Sequence, residues 1–216
     1  MRIESYQAVI FDLDGVLAFT EPAIFRILNR LVGTFGIELG PADYHALFGL
    51  DYADTATHLK ATYPIPVTEA RLVELFEKAV LDRIESELEP APGGIELVTA
   101  LAALGFPLGV ASNSPSQYVQ RIVHGLGFSD FLPVPVGRDD VPRGKPFPDP
   151  YLEACLRAGA DPTRSLAVED SPVGAQAALN AGMDCALIAK TIPSPLEGKV
   201  TLFPDLPTFH KALLAG

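Results

Sequence analysis

Asp12 and Asp14 stand two residues apart where an apolar run, Ala8-Val9-Ile10-Phe11, stops abruptly, and Gly15 follows at once. Three later clusters carry further reactive side chains: Ser112-Asn113-Ser114, Lys145 within Arg143-Gly144-Lys145-Pro146, and Glu169-Asp170-Ser171. Brought together, Asp12, Asp14, Glu169 and Asp170 would repel one another strongly unless a cation sat among them, and an all-oxygen ligand set points to Mg²⁺. Such a cation, with Lys145 and the Ser112 hydroxyl, would neutralise and orient the oxygens of a phosphoryl group, the main demand that phosphoryl transfer makes on a protein. One aspartate can then act as nucleophile, since carboxylates form aspartyl-phosphates. The second can serve as general acid and base if burial and neighbouring negative charge raise its pKa.

These side chains meet only if the elements that carry them end at one edge. Val9, Ile10 and Phe11 read as a strand covered on both faces, with Gly15 supplying a tight turn beyond it. From Glu21 to about Phe35 the spacing predicts an amphipathic helix, with Thr20 as N-cap and Pro22 in its first turn. Further helices are expected around Ala53 to Ala61 and from Thr68 to Leu88, the latter with Leu72, Val73, Leu75, Phe76, Val80, Leu81 and Ile84 at helical spacing. No convincing strand falls in this stretch, and the Pro/Gly cluster from Glu89 to Gly94 reads as a hinge.

Strands and helices then alternate. A helix near Ile95 to Leu104, a strand over Leu108 to Ser112, a helix over Ser116 to His124 and a short apolar segment at Leu132 to Val136 come first. A helix near Pro150 to Ala158, a strand over Ser165 to Val168, a helix from about Val173 to Ala181 and a strand over Cys185 to Ile188 follow. A strand near Lys199 to Leu202 and a helix over Leu206 to Leu214 close the chain. This pattern specifies an α/β fold, a doubly wound parallel sheet with an inserted α-helical domain. Residues 1–17 and 89–216 are expected to form a Rossmann-like core and residues 18–88 the insertion. The polar strand ends at Asp12, Ser112 and Glu169 would then share the sheet edge at which open α/β folds bind ligands.

The formal charge of −11 argues against a nucleic acid or an anionic membrane as partner, because both require a basic surface. No signal-type leader and no apolar run of membrane-crossing length is seen, so a cytoplasmic location is expected. Cys155 and Cys185 have no metal-ligand spacing and read as buried free thiols.

Taken together, Asp12-Leu13-Asp14-Gly15, Ser112 with Asn113, Lys145 in Gly-Lys-Pro-Phe-Pro-Asp-Pro, and Val168-Glu169-Asp170-Ser171-Pro172-Val173-Gly174 resemble the four motifs of the haloacid dehalogenase superfamily, in its phosphatase-type branch with a helical cap. The resemblance covers essentially the whole chain. It implies that Asp12 is the nucleophile and a Mg²⁺ ligand, that Asp14 is the acid/base and lends its backbone carbonyl to the metal, and that Asp170 completes the protein ligands. Glu169 would help hold the metal's water shell, while Ser112, Asn113 and Lys145 would bind the phosphoryl group. Retention of Asp14 favours phosphoryl chemistry over the carbon–halogen cleavage of the superfamily's dehalogenases.

The resemblance also implies that substrate contacts come from the cap loop Phe48-Gly49-Leu50-Asp51-Tyr52, with Gly49, Asp51 and Tyr52 the candidates. Related sugar-phosphate mutases hold a second phosphate with basic side chains here, and this loop has none. Glu21, His58 and Lys78 are further cap residues with side chains able to contact a substrate; helix-dipole compensation also accounts for Glu21, and solvation for Lys60 and Lys78. His45, His58, His124 and His210 show no recurring metal spacing. The expectation is a Mg²⁺-dependent phosphatase of a small phosphorylated metabolite, a sugar phosphate or sugar-acid phosphate, present as monomer or homodimer. The alternatives are a sugar phosphomutase and a binding or regulatory module without turnover.

Overall fold

The computed structural model describes residues 3–214. In chain order its main elements are β1 (Ala8–Phe11), β2 (Ala18–Phe19), α1 (Thr20–Gly33), α2 (Pro41–Leu47), α3 (Tyr52–Thr62), α4 (Glu69–Glu87), β3 (Glu89–Pro90), α5 (Gly94–Ala103), β4 (Leu108–Val110), α6 (Ser116–Gly125), α7 (Asp149–Ala158), β5 (Ser165–Glu169), α8 (Pro172–Asn180), β6 (Asp184–Ile188), β7 (Thr201–Phe203) and α9 (Leu206–Leu214). The chain divides into two compact units, one formed up to Phe19 and again from Pro90 onward, the other spanning Thr20–Glu89.

The first unit is an α/β domain built on a five-stranded parallel sheet in the order β4-β1-β5-β6-β7. All four residues of β1 are fully buried, as a strand with neighbours on both sides and helices on both faces requires. Phe11 pairs with Val110 on one side and Val168 on the other, so β1 and β4 end level and β5 runs one residue further, to Glu169. Whatever follows each of them therefore meets at one edge, with the residues after β1 in the middle.

The second unit is helical. On α4, Leu72, Phe76, Val80 and Ile84 are buried at four-residue steps, one stripe that packs against α1 and α3. Thr68 caps α4 by accepting from the backbone N–H of Arg71.

Four local expectations are corrected. Thr20 is the first residue of α1 rather than its N-cap. The strand after Pro107 stops at Val110, and Ala111 makes only an isolated bridge to Val136, so the Leu132 to Val136 segment adds no strand. The helix α2 was not foreseen, because Leu47 is its one buried residue and it has no apolar stripe to read. The pair β2 and β3 is two residues long on each side, too short for any alternation to register. Among the described residues no helix is long and apolar enough to cross a membrane.

Candidate active site

Asp12 follows β1 directly and donates its backbone N–H to the Val168 carbonyl, which extends the β1–β5 ladder by one residue and fixes the carboxylate at the sheet edge. Lys145 arrives from the loop before α7, and its ammonium is held between two carboxylates, 2.6 Å from Asp12 Oδ1 and 2.5 Å from Glu169 Oε1. The lysine side chain is only 4% exposed. Burial would depress its pKa, but the charges of Asp12 and Glu169 outweigh that and hold it above the ordinary lysine value, so it stays a cation.

One oxygen from each of Asp12, Glu169 and Asp170 lies within 4.8 Å of the others. Burial pushes the Asp12 carboxyl well up, against the pull of Lys145. Burial and the Glu169 charge push Asp170 up to about 6. Clustered carboxylates that resist ionisation in this way fit a hard cation such as Mg²⁺, which would remove both penalties. Close packing agrees with a built cradle. A Cβ on Gly15, where φ is +83°, would lie 1.9 Å from Asp170 Oδ2, and one on Gly174 would lie 1.7 Å from Glu169 Oε1. Neither site admits a side chain without moving a carboxylate.

The side chains do not share the cation site equally. Glu169 is fully buried and already accepts five hydrogen bonds: Oε1 from Lys145 Nζ and Tyr151 Oη, Oε2 from the backbone N–H groups of Asp170 and Ser171 and from Ser171 Oγ. Its visible work is to anchor Lys145 and the start of α8, which leaves Asp12 and Asp170 as the carboxylates better placed for a metal. Asp14 turns the other way, its carboxylate accepting from Ser114 Oγ at 2.9 Å and from Tyr118 Oη at 3.1 Å. That turns its side chain away from the Asp12, Glu169 and Asp170 cluster.

Ser112 is buried after β4, its Oγ accepting from the Ser114 N–H in a local turn. The Asn113 side chain is engaged by the protein: its Oδ1 accepts from the Lys145 N–H at 2.7 Å and its Nδ2 donates to the Lys145 carbonyl at 3.2 Å. The amide thus clasps the main chain that carries the lysine.

In the helical unit, Asp51 is the N-cap of α3, accepting from the Asp54 N–H at 2.8 Å. Tyr52 packs on Phe76, and Gly49 sits exposed in the turn between α2 and α3. Lys78 pairs with Asp82 one turn on, Lys60 donates to the carbonyls of Ile65 and Val67, and His58 is half-buried on α3. Glu21 and Tyr52 line a recess within this unit together with Phe25, Tyr44, Phe48 and Leu50. Tyr118 and Tyr151 are not among the residues that the sequence motifs point to, and the Asp14 contact of Ser114 is not readable from them. Ser114 adjoins the Ser112-Asn113 motif, whereas the two tyrosines look like ordinary apolar-face residues of α6 and α7 until the fold points their hydroxyls at Asp14 and Glu169.

Residues 9–188 match the family described as haloacid dehalogenase-like hydrolase. Among curated proteins, a phosphoglycolate phosphatase of Rhodospirillum rubrum is 31% identical over 92% of this chain and 87% of its own. Validoxylamine A 7'-phosphate phosphatase of Streptomyces hygroscopicus subsp. limoneus is 28% identical over 86% of this chain and 87% of its own. A solved HAD-superfamily hydrolase, subfamily IA, variant 1, from Geobacter sulfurreducens superposes with a TM-score of 0.80 over 97% of each chain at 19% identity, a likeness of fold. The chain belongs to the haloacid dehalogenase-like hydrolase family, and it stands there among phosphoric monoester hydrolases.

Proposed function

We propose that the protein is a Mg²⁺-dependent phosphatase of a small phosphorylated metabolite, a sugar phosphate or sugar-acid phosphate, working through an aspartyl-phosphate on Asp12. The observation that carries this reading is the Asp12 carboxylate at the end of the central strand, with the Lys145 ammonium 2.6 Å away and Asp170 beside it. An Asp12 oxygen attacks phosphorus and the bond to the leaving oxygen breaks, while Asp14 gives that oxygen its proton. Asp14 then takes a proton from a water that attacks the aspartyl-phosphate at phosphorus, which returns free Asp12 and inorganic phosphate. Lys145 neutralises phosphoryl oxygens throughout, and Ser112 and the backbone after it orient them. Asp12, Asp170 and the Asp14 carbonyl would hold the Mg²⁺, which when bound supplies further charge neutralisation at the phosphoryl group.

Relatives named phosphoglycolate phosphatase and validoxylamine A 7'-phosphate phosphatase support the substrate class. In this reading the helical unit is a cap domain. The recess it contains is lined by aromatic and aliphatic side chains with Glu21 and Thr55, and no lysine or arginine is among them. The cap loop from Phe48 to Tyr52 likewise carries no lysine or arginine that could hold a second phosphate, which disfavours a phosphomutase.

The test is phosphate release from a panel of sugar phosphates and sugar-acid phosphates, with Mg²⁺ and with chelator, by the wild type and Asp12→Asn. Metal-dependent release that vanishes in a folded Asp12→Asn protein is expected. Isomerised sugar phosphate without net phosphate release would overturn the assignment in favour of a mutase.

A further inference from the structure

Tyr151 is the largest fully buried side chain of the described residues, and nothing in the reaction outlined above uses it. It stands in the first turn of α7, and that helix packs on β4 and β1. Its hydroxyl donates to Glu169 Oε1 at 2.8 Å, the same oxygen that accepts from Lys145 at 2.5 Å. Its ring lies under the same ammonium, with Lys145 Nζ 4.9 Å from the ring centroid. One tyrosine therefore touches both members of the Lys145–Glu169 pair, by its edge and by its face.

Packing alone does not account for this residue. A phenylalanine would fill the same volume, whereas a buried hydroxyl is unfavourable unless a partner is provided. Here the partner is a buried carboxylate, and the bond has a directional consequence. The Lys145 ammonium is shared between Asp12 and Glu169, and how it divides depends on how much of the Glu169 charge is already satisfied. With the Tyr151 hydroxyl on Oε1 and three donors on Oε2, Glu169 demands less of the lysine. Removing the hydroxyl leaves Oε1 to Lys145 alone and draws the ammonium toward Glu169, away from the oxygen that meets the phosphoryl group. The ring adds an attractive face 4.9 Å from the ammonium, which restricts its motion.

We propose that Tyr151 is a positioning residue for this active site, its hydroxyl and ring together fixing the Glu169–Lys145 pair so that the ammonium stays on Asp12. The proposal rests on the phosphatase reading for its kinetic consequence, but its structural content does not depend on turnover.

The test uses the full-length protein and the variant Tyr151→Phe. Lys145 neutralises phosphoryl oxygens throughout but its charge matters most where negative charge is greatest, in the transition state, so a misplaced ammonium is expected to lower kcat about tenfold with KM changed by a smaller factor, about twofold. Because the effect passes through Glu169, Tyr151→Phe should change kcat little in a Glu169→Gln background. An unchanged kcat with only a lowered Tm, or the same fold-loss in both backgrounds, would overturn the proposal. A second readout needs no activity: the side-chain ¹H–¹⁵N signal of the Lys145 ammonium in protein with ¹⁵N-labelled lysine, assigned by its loss in Lys145→Arg. It should shift or broaden in Tyr151→Phe, and an unchanged signal would count against the proposal. Should the wild type hydrolyse no phosphomonoester, the phosphatase reading fails while this signal still decides the role of Tyr151.

Discussion

At the scale of single residues, similar side chains are given different work by what surrounds them. Asp12 and Asp14 are two positions apart, yet one is paired with a buried lysine and the other is held by two hydroxyls. Glu169 and Asp170 are adjacent, yet one is saturated by five donors while the other is pressed against Gly15 at the mouth of the cluster. The glycines bring a measurable consequence. In an ordinary helix Gly→Ala gains up to about 1 kcal/mol from propensity alone. At position 174 the added Cβ would fall 1.7 Å from a Glu169 oxygen that is locked by Lys145 and Tyr151, and overpacking of that kind costs about 1–3 kcal/mol. The clash wins, so Gly174→Ala is expected to lower Tm by several degrees and to depress activity with it. Thermal unfolding of the variant checks this, and a raised Tm would show that the carboxylate has room to move.

At the scale of elements, the sheet was legible because β1, β5 and β6 are short apolar runs bounded by turn chemistry, and α4 because its buried stripe recurs at helical spacing. The helix α2 was not, since its position depends on Pro41 at its start and on Asp43, whose carboxylate accepts from the Gly40 N–H and from Tyr63 Oη, rather than on an apolar face. The site was legible in its charged residues and opaque in the groups that hold them, because Tyr118 and Tyr151 declare their partners only once α6 and α7 are docked. Helix α6 shows the same dependence on distant sequence. Its first residue, Ser116, donates both N–H and Oγ to Asp139 Oδ1, and these bonds hold the Asp139 carboxyl below its ordinary pKa. A carboxylate whose folded pKa is lowered contributes stability above its unfolded pKa and loses it as pH falls through the folded value. Asp139→Ala should therefore cost about 0.5–1 kcal/mol at pH 7, at the low end for a cap because the group is exposed to solvent. The difference from wild type should narrow as pH falls below the ordinary aspartate range, read from denaturant melts at neutral and acidic pH. An equal difference at both would show that the charge is not what matters.

At the scale of the whole molecule, a chain with a formal charge of −11 brings Asp12, Asp170 and Glu169 within 4.8 Å of one another and sets one lysine against them. A divalent cation that binds only the folded site stabilises the protein by mass action, by about 2.7 kcal/mol at one hundred times its Kd. Tm should rise with Mg²⁺ concentration and fall back with chelator, and Asp170→Asn should lose most of that dependence. A Tm indifferent to Mg²⁺ would contradict the metal assignment while leaving the family and fold as they stand. The division of labour between Asp12 and Asp14 is the central claim, and p-nitrophenyl phosphate tests it most directly, because its leaving group needs no proton. Mixed with excess substrate and Mg²⁺, Asp14→Asn should release about one equivalent of nitrophenolate per enzyme and then stall, with the phosphoryl group recovered on the peptide that contains Asp12. Steady turnover at the wild-type rate with no burst, or a phosphoryl group found elsewhere, would contradict it.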